Sequence, residues 1–282
     1  YGHGTFVSGL ISLTAPGCKI LPLRAFDTLG LGTTFGITRA IYAAIDEGAE
    51  VINMSFSMYS ASTALRTAVK DARHAGIVMI ASAGNDHTND STYPAAFPEV
   101  IAVSSIDESE QAAWFSNYGE YVDLCAPGVN LYSALAGDYE WGTWSGTSFS
   151  AALVSGACAL ELGYRTSLTP QQAGEDLIRS ARTELAWGIV TPSDAIYYGS
   201  GCLDVYEALL GLACGDIDNS GWVDMSDLVG LAEYILDGGP PPVVSLRVAD
   251  LNCDGVVNAV DLEVMKGLIA RGKGLPKPCY LR

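Results

Sequence analysis

The sequence predicts an α/β domain, a parallel sheet flanked by helices, followed by a small α-helical module with two EF-hand-like calcium loops. Three observations carry this. From residue 19 onward, apolar runs of strand length alternate with amphipathic stretches of helical spacing. Gly146-Thr147-Ser148 opens a stretch of apolar and small residues suited to a buried helix. Near the C-terminus an Asp/Asn-rich pattern occurs twice, 34 residues apart.

Taken in order, residues 20–26 read as a strand and residues 35–47 as a helix with Ile37, Ile41, Ala44 and Ile45 on one face. Residues 51–56 read as a strand, 65–75 as a helix bearing Leu65, Ala68, Val69 and Ala72, and 77–81 as a strand. Such alternation implies right-handed crossovers with helices on both faces of the sheet. Active residues of such folds gather at strand ends and helix starts. Ser55, Asn85 and Ser148 fall there.

After Ser148, Ala151, Ala152, Val154, Ala157 and Leu160 keep helical spacing. Ser148 is thereby placed in a first helical turn, where unbonded N–H groups and the positive end of the helix dipole can stabilise a developing oxyanion. Two further blocks supply complementary chemistry: His3 in Gly2-His3-Gly4-Thr5 and Asn85 in Ala83-Gly84-Asn85. His74 closes a helix on the surface, and His87 belongs to a polar loop.

These blocks, in this order and at these intervals, resemble the subtilisin-like serine proteases over roughly residues 1–212. Val51-Ile52-Asn53-Met54-Ser55, Tyr93-Pro94-Ala95, Phe115-Ser116 and Ala126-Pro127-Gly128 extend the likeness. The resemblance implies that Ser148 attacks a peptide carbonyl, that His3 relays the proton, and that the Ser148 N–H and the Asn85 amide bind the oxyanion. It also implies a specificity pocket between Ser55-Phe56-Ser57 and Ser82-Ala83-Gly84, with Asp86 at its rim and Thr92 at its base. Ser57 stands where the family usually has glycine, so medium side chains are expected over large aromatic ones.

In this family the triad aspartate precedes the histidine, whereas this sequence starts two residues before His3. The expectation is an N-terminally incomplete, inactive piece lacking that aspartate and the first strands, with Asp27 a solvated loop residue. A non-catalytic component with a degenerate protease domain stays open as the alternative.

The second module is expected at residues 214–282, after a first domain of 1–213, with a short junction at 211–214 that holds the two close. Asp216, Asp218, Ser220, Asp224 and Asp227 recur as Asp250, Asn252, Asp254, Asn258 and Asp261. They occupy positions 1, 3, 5, 9 and 12 of a calcium loop, with glycine at position 6 and the carbonyls of Trp222 and Val256 at position 7. Each loop leads into one apolar-faced helix, 228–236 and 262–270. Aspartate rather than glutamate at position 12, with no leading helix, resembles a type I dockerin. That resemblance implies two Ca²⁺ ions and a cohesin-type scaffold partner, contacted through Met225-Ser226 or Ala259-Val260.

The formal net charge of −17 disfavours nucleic acid and anionic membrane surfaces as partners. No apolar run is long enough to span a membrane. Among seven cysteines, Cys125 and Cys158 read as core thiols. Cys202, Cys214, Cys253 and Cys279 cluster toward the C-terminus and suit one or two disulfides in a secreted protein.

Overall fold

The computed structural model describes residues 2–137, 141–166, 168–210, 217, 225–237, 249, 251 and 256–271. The chain forms two compact units, Tyr1–Val205 and Tyr206–Arg282. The expected boundary after residue 213 lies outside the described residues.

In the first unit four parallel strands lie in the order β1 (Val51–Met54), β2 (Val78–Ser82), β3 (Ile101–Ile106), β4 (Leu124–Pro127). The register pairs Val51 with Val78, Ile80 with Ile101 and Val103 with Leu124. Every residue of β2 and β3 is buried. That is the condition of strands covered on both faces, and it explains why they show no apolar–polar alternation.

Before the sheet comes α1 (His3–Thr14), followed by α2 (Thr34–Asp46). Between β1 and β2 runs α3 (Thr63–His74). Thr33 and Ser62 cap α2 and α3 by accepting the N–H of Gly36 and Leu65. These two helices pack Ile37, Ile41, Leu65 and Val69 against Met79, Ala81 and Ala102 on one face of the sheet. The opposite face meets α4 (Thr147–Tyr164) and α5 (Pro170–Arg179), the latter started by a Thr169–Gln172 capping box. Gly174 of α5 packs so closely that a Cβ there would lie 2.7 Å from Val78 and 2.8 Å from Ile101.

An all-round apolar helix is a buried one, and α4 is buried along most of its length. Phe6, Val7 and Leu10 of α1 pack on its Phe149 and Ala152. A Cβ on Gly156 of α4 would lie 2.6 Å from Thr14 Cβ, so only glycine lets the two helices come this close. At the far end of α4, Arg165 bonds Glu161 at 2.9 Å and Asp176 of α5 at 2.7 Å, while Arg179 bonds Asp176 at 3.1 Å. Burial, helped by the Asp176 charge, pushes the Glu161 carboxyl up to about 8.

The strand expected at 20–26 does not form. This stretch has no regular secondary structure, only Phe26 makes a bridge, to Gly32, and Ile20, Leu21 and Leu23 are exposed. A strand needs a neighbour's N–H and C=O groups, and the edge strand β1 is separated from this stretch by a groove that both line. Structure not foreseen comprises the hairpin β5 (Leu131–Ala134) with β6 (Trp141–Trp144), the short β7 (Glu184–Leu185) with β8 (Gly188–Ile189), and α6 (Ala195–Tyr198).

The second unit holds α8 (Met225–Asp237) and α9 (Ala259–Arg271), with α7 (Val205–Leu210) at the boundary. Each of the two later helices starts three residues before its expected position. Leu231 and Met265 pack with Ile217, Ala249 and Leu251 in one small core.

Candidate active site

A groove of about 2110 Å³ runs along the open edge of β1. It brings together His3, Asn85 and Ser148, three residues far apart in sequence. His3 is the first residue of α1 and Ser148 the second of α4, so the α1–α4 packing fixes their relation. The His3 ring lies edge-on to Trp144, centroids 5.9 Å apart, and 5.7 Å from Phe149. Burial holds its pKa below the ordinary 6.5. The imidazole is therefore neutral near pH 7, as a proton acceptor must be.

Asn85 follows β2, and its carboxamide is oriented by the start of α4. Its Oδ1 accepts the Thr147 N–H and the Thr147 hydroxyl, both at 2.9 Å. A backbone N–H can only donate, so the acceptor must be the amide oxygen and the NH₂ is left to donate elsewhere. The fully buried Thr147 hydroxyl also accepts the Gly84 N–H at 3.2 Å. One side chain thus ties the helix of the serine to the loop of the asparagine.

Ser55 and Ser148 are linked reciprocally. The Ser55 hydroxyl donates to the Ser148 carbonyl at 2.7 Å, and the Ser148 hydroxyl reaches the Ser55 carbonyl at a long 3.4 Å. Asn53 donates to the Ser55 hydroxyl at 2.9 Å and accepts from Ser155 at 3.0 Å. Ser155 is seven residues after Ser148, two turns along the same face of α4. The end of β1 therefore grips this helix at two points.

Of the residues expected to line a pocket, Ser55, Phe56, Ser57, Ser82 and Gly84 line this groove. Phe56 also packs on Phe26, ring centroids 5.3 Å apart. Ala83 is fully buried, and its carbonyl accepts from Thr92 at 2.6 Å, Asn117 at 3.1 Å and Tyr121 at 3.2 Å. It anchors the wall behind Gly84. Gly84 itself has φ +110, and a Cβ there would strike the Asn117 amide. Tyr59 donates to Asp86 at 2.6 Å, joining the loops that follow β1 and β2.

Asp27 lines the same groove but is exposed, and its Oδ1 accepts the N–H groups of Leu29 and Leu31. His74 and His87 are exposed. Sequence reading missed Thr147, Asn53 and Ser155. The seven-residue interval between Ser148 and Ser155 was the available signal for the last.

In the second unit Asp227 and Asp261 are fully buried at the starts of α8 and α9. Each accepts, through Oδ1, a backbone N–H ten residues earlier: Ile217 at 2.6 Å and Leu251 at 2.7 Å. The duplication in sequence is thus a duplication in geometry. Asn258 is half-buried and Val256 exposed. Asp216, Asp218, Ser220, Trp222, Asp224, Asp250, Asn252 and Asp254 lie outside the described residues. All side-chain donors in the two sets are oxygen, which suits a hard cation.

Comparison with known proteins identifies the family. Residues 1–201 match the profile of the Subtilase family, and residues 214–270 that of the Dockerin type I domain. The chain is 37% identical over 210 residues to a thermophilic serine proteinase of Bacillus sp. (strain AK1), covering 70% of this chain and 52% of that protein. It is 36% identical over 219 residues to subtilisin of Bacillus pumilus, covering 73% and 76%. The chain spans about half the length of several of its relatives. Among solved structures, the prenylagaramide maturation protease PagA superposes with TM-score 0.64 at 28% identity, covering 74% of this chain and 82% of that one. A lanthipeptide protease superposes with TM-score 0.67 at 26% identity, covering 74% of each. The chain belongs to the subtilase family and carries a type I dockerin domain after its peptidase domain.

Proposed function

We propose that this chain belongs to a secreted serine endopeptidase that is anchored through its dockerin. The observation that carries the reading is the Asn85 carboxamide, locked by Thr147 with its NH₂ free to donate beside the N-terminus of α4. In the reaction Ser148 Oγ attacks the carbonyl carbon of the scissile bond. His3 takes the hydroxyl proton and returns it to the leaving amine. Negative charge on the former carbonyl oxygen is met by the Asn85 amide and the Ser148 N–H.

The acid that orients His3 is proposed to arrive on a strand that fills the groove. Residues 18–26, β1 and His3 all line that groove. An Asp-Ser-Gly or Asp-Thr-Gly block encoded upstream of residue 1 would supply the aspartate. Without it the chain is expected to be nearly inactive, since loss of that aspartate alone costs about 3 × 10⁴ in turnover in subtilisin.

The test compares this chain, the chain extended upstream, and the extended chain carrying Ser148→Ala, on peptide substrates. Hydrolysis by the extended chain should fall about 10⁶-fold in Ser148→Ala, the size seen in subtilisin. Unchanged hydrolysis in that variant overturns the assignment. An inactive extended chain favours the non-catalytic scaffold reading instead.

For the dockerin, the acidic loops with buried Asp227 and Asp261 are proposed to hold two Ca²⁺ ions. The ions would offset the clustered carboxylates and lock the helix starts. Chelation should unfold residues 214–282 before the peptidase domain. Identical circular dichroism of an isolated dockerin with and without calcium argues against this. The proposed partner is a cohesin on an extracellular scaffold. Met225 and Val260 are exposed on α8 and α9, and their neighbours Ser226 and Ala259 differ in polarity, so one binding orientation should dominate.

A further inference from the structure

We propose that Cys125 and Cys202 form a disulfide that staples the last segment of the peptidase domain to β4. The expectation had placed Cys202 with the C-terminal cysteines. The structure instead sets it directly beside Cys125 as a parallel bridge pair, both buried and both thiols. The backbone holds the two in register: Cys125 N–H donates to Gly201 O at 2.9 Å, and Leu203 N–H donates to Cys125 O at 2.7 Å. Neighbouring strands lie about 4.7–4.9 Å apart, inside the roughly 4.4–6.8 Å Cα separation that a disulfide spans.

Two glycines make this approach possible. Gly199 (φ +57) presses on the Asp123 backbone, and Gly201 (φ +133) would carry a Cβ only 2.6 Å from Arg182 O. A side chain at 199 would push the segment off β4, and one at 201 would push it off residues 181–182. The Cys202 thiol meanwhile donates only weakly, to the Leu203 carbonyl at 3.8 Å. The facing Cys125 thiol and the Arg182 guanidinium hold the Cys202 thiol below its ordinary pKa, whereas burial holds the Cys125 thiol well above it.

The asymmetry gives the order of events. While residues 199–203 are docking, the Cys202 thiolate attacks one sulfur of an external low-molecular-weight disulfide and expels a thiolate. Cys125 sulfur, giving up its proton, then displaces the second thiolate from the mixed disulfide. Two protein thiols are oxidised to one S–S bond, the external disulfide is reduced to two thiols, and those thiols carry away both protons. The staple lies beside the site. Ala126, next to Cys125, accepts through its carbonyl from Ser150 Oγ at 3.0 Å, two residues after Ser148.

The test uses the full chain, reduced and then refolded with calcium in a buffer of oxidised and reduced glutathione. Peptide mapping without reduction should find a linked pair containing Cys125 and Cys202, two hydrogens lighter than its parts and lost on reduction. Reduction should lower the Tm of the peptidase domain by about 5–10 °C. Cys202→Ala should abolish that dependence, and Cys158→Ala should keep it. Alkylation of both Cys125 and Cys202 without prior reduction overturns the proposal, as does finding Cys202 joined to Cys214, Cys253 or Cys279. Mapping of the unmutated chain decides the matter even if a variant does not fold.

Discussion

The two flanks of the peptidase sheet are built from equally apolar sequence and end in opposite states. At the β3–β4 side every strand position but Pro127 is buried, and residues 199–203 are bonded onto β4. At the β1 side an apolar run, residues 20–26, forms no strand and lines a groove with Ile20, Leu21 and Leu23 exposed. Apolar patterning specifies what a segment can do when a partner edge is present. It does not supply the edge.

The largest test of the comparison concerns the site on the open flank. Asn85→Ala should lower kcat about 10²–10³-fold in the active, extended chain, or about 2.7–4 kcal/mol of transition-state stabilisation, the range measured in subtilisin. Its KM should change little, because the amide acts on charge that develops only in the transition state. A change confined to KM would return Asn85 to the role of a turn residue.

Stability should differ between the flanks by design of the packing. Leu124→Ala on the closed side removes a fully buried side chain of β4 and should cost about 2–5 kcal/mol in denaturant unfolding. Leu21→Ala on the open side should stay within about 0.5 kcal/mol, since Leu21 is 45% exposed. In the extended chain the cost at Leu21 should rise. Equal costs at both positions in this chain would erase the distinction drawn here.

How much of this was legible beforehand follows from the same contrast. Ile37, Ile41, Leu65 and Val69 declared helix faces because their period is set by covering a sheet. Ile20 and Leu23 declared a strand on the same logic and failed, because pairing is a property of the neighbour. His3, Asn85 and Ser148 were picked out by short glycine-containing motifs, and one groove brings them together. Thr147 was not, since a threonine hydroxyl that bonds Gly84 and Asn85 together is indistinguishable in sequence from any helix-start threonine. The Cys125–Cys202 pairing was equally hidden, as it depends on a crossing between segments 77 residues apart.

A smaller effect should appear in the pH dependence of stability. Burial raises Glu161 from 4.5 to about 8 and Asp123 from 3.8 to about 6. Between each pair of values the folded chain keeps a proton that the unfolded chain has released, so stability falls as pH rises. Tm should therefore decline from about pH 5 to about pH 8. Glu161→Gln should flatten the upper part of that decline, and a slope unchanged in this variant would remove Glu161 as its source.

The exposed run at 20–26 has one more consequence, for the lifetime of the molecule. Proteases take their substrates as extended strands with free backbone groups, laid along an edge. Residues 19–25 make no backbone hydrogen bond among the described residues, and Lys19, Leu21, Leu23 and Arg24 are exposed. The segment is a ready meal for any neighbouring peptidase, its own active relatives included. A strand seated in the groove would hide the same residues by pairing with them, so completing the sheet and escaping digestion would be a single event.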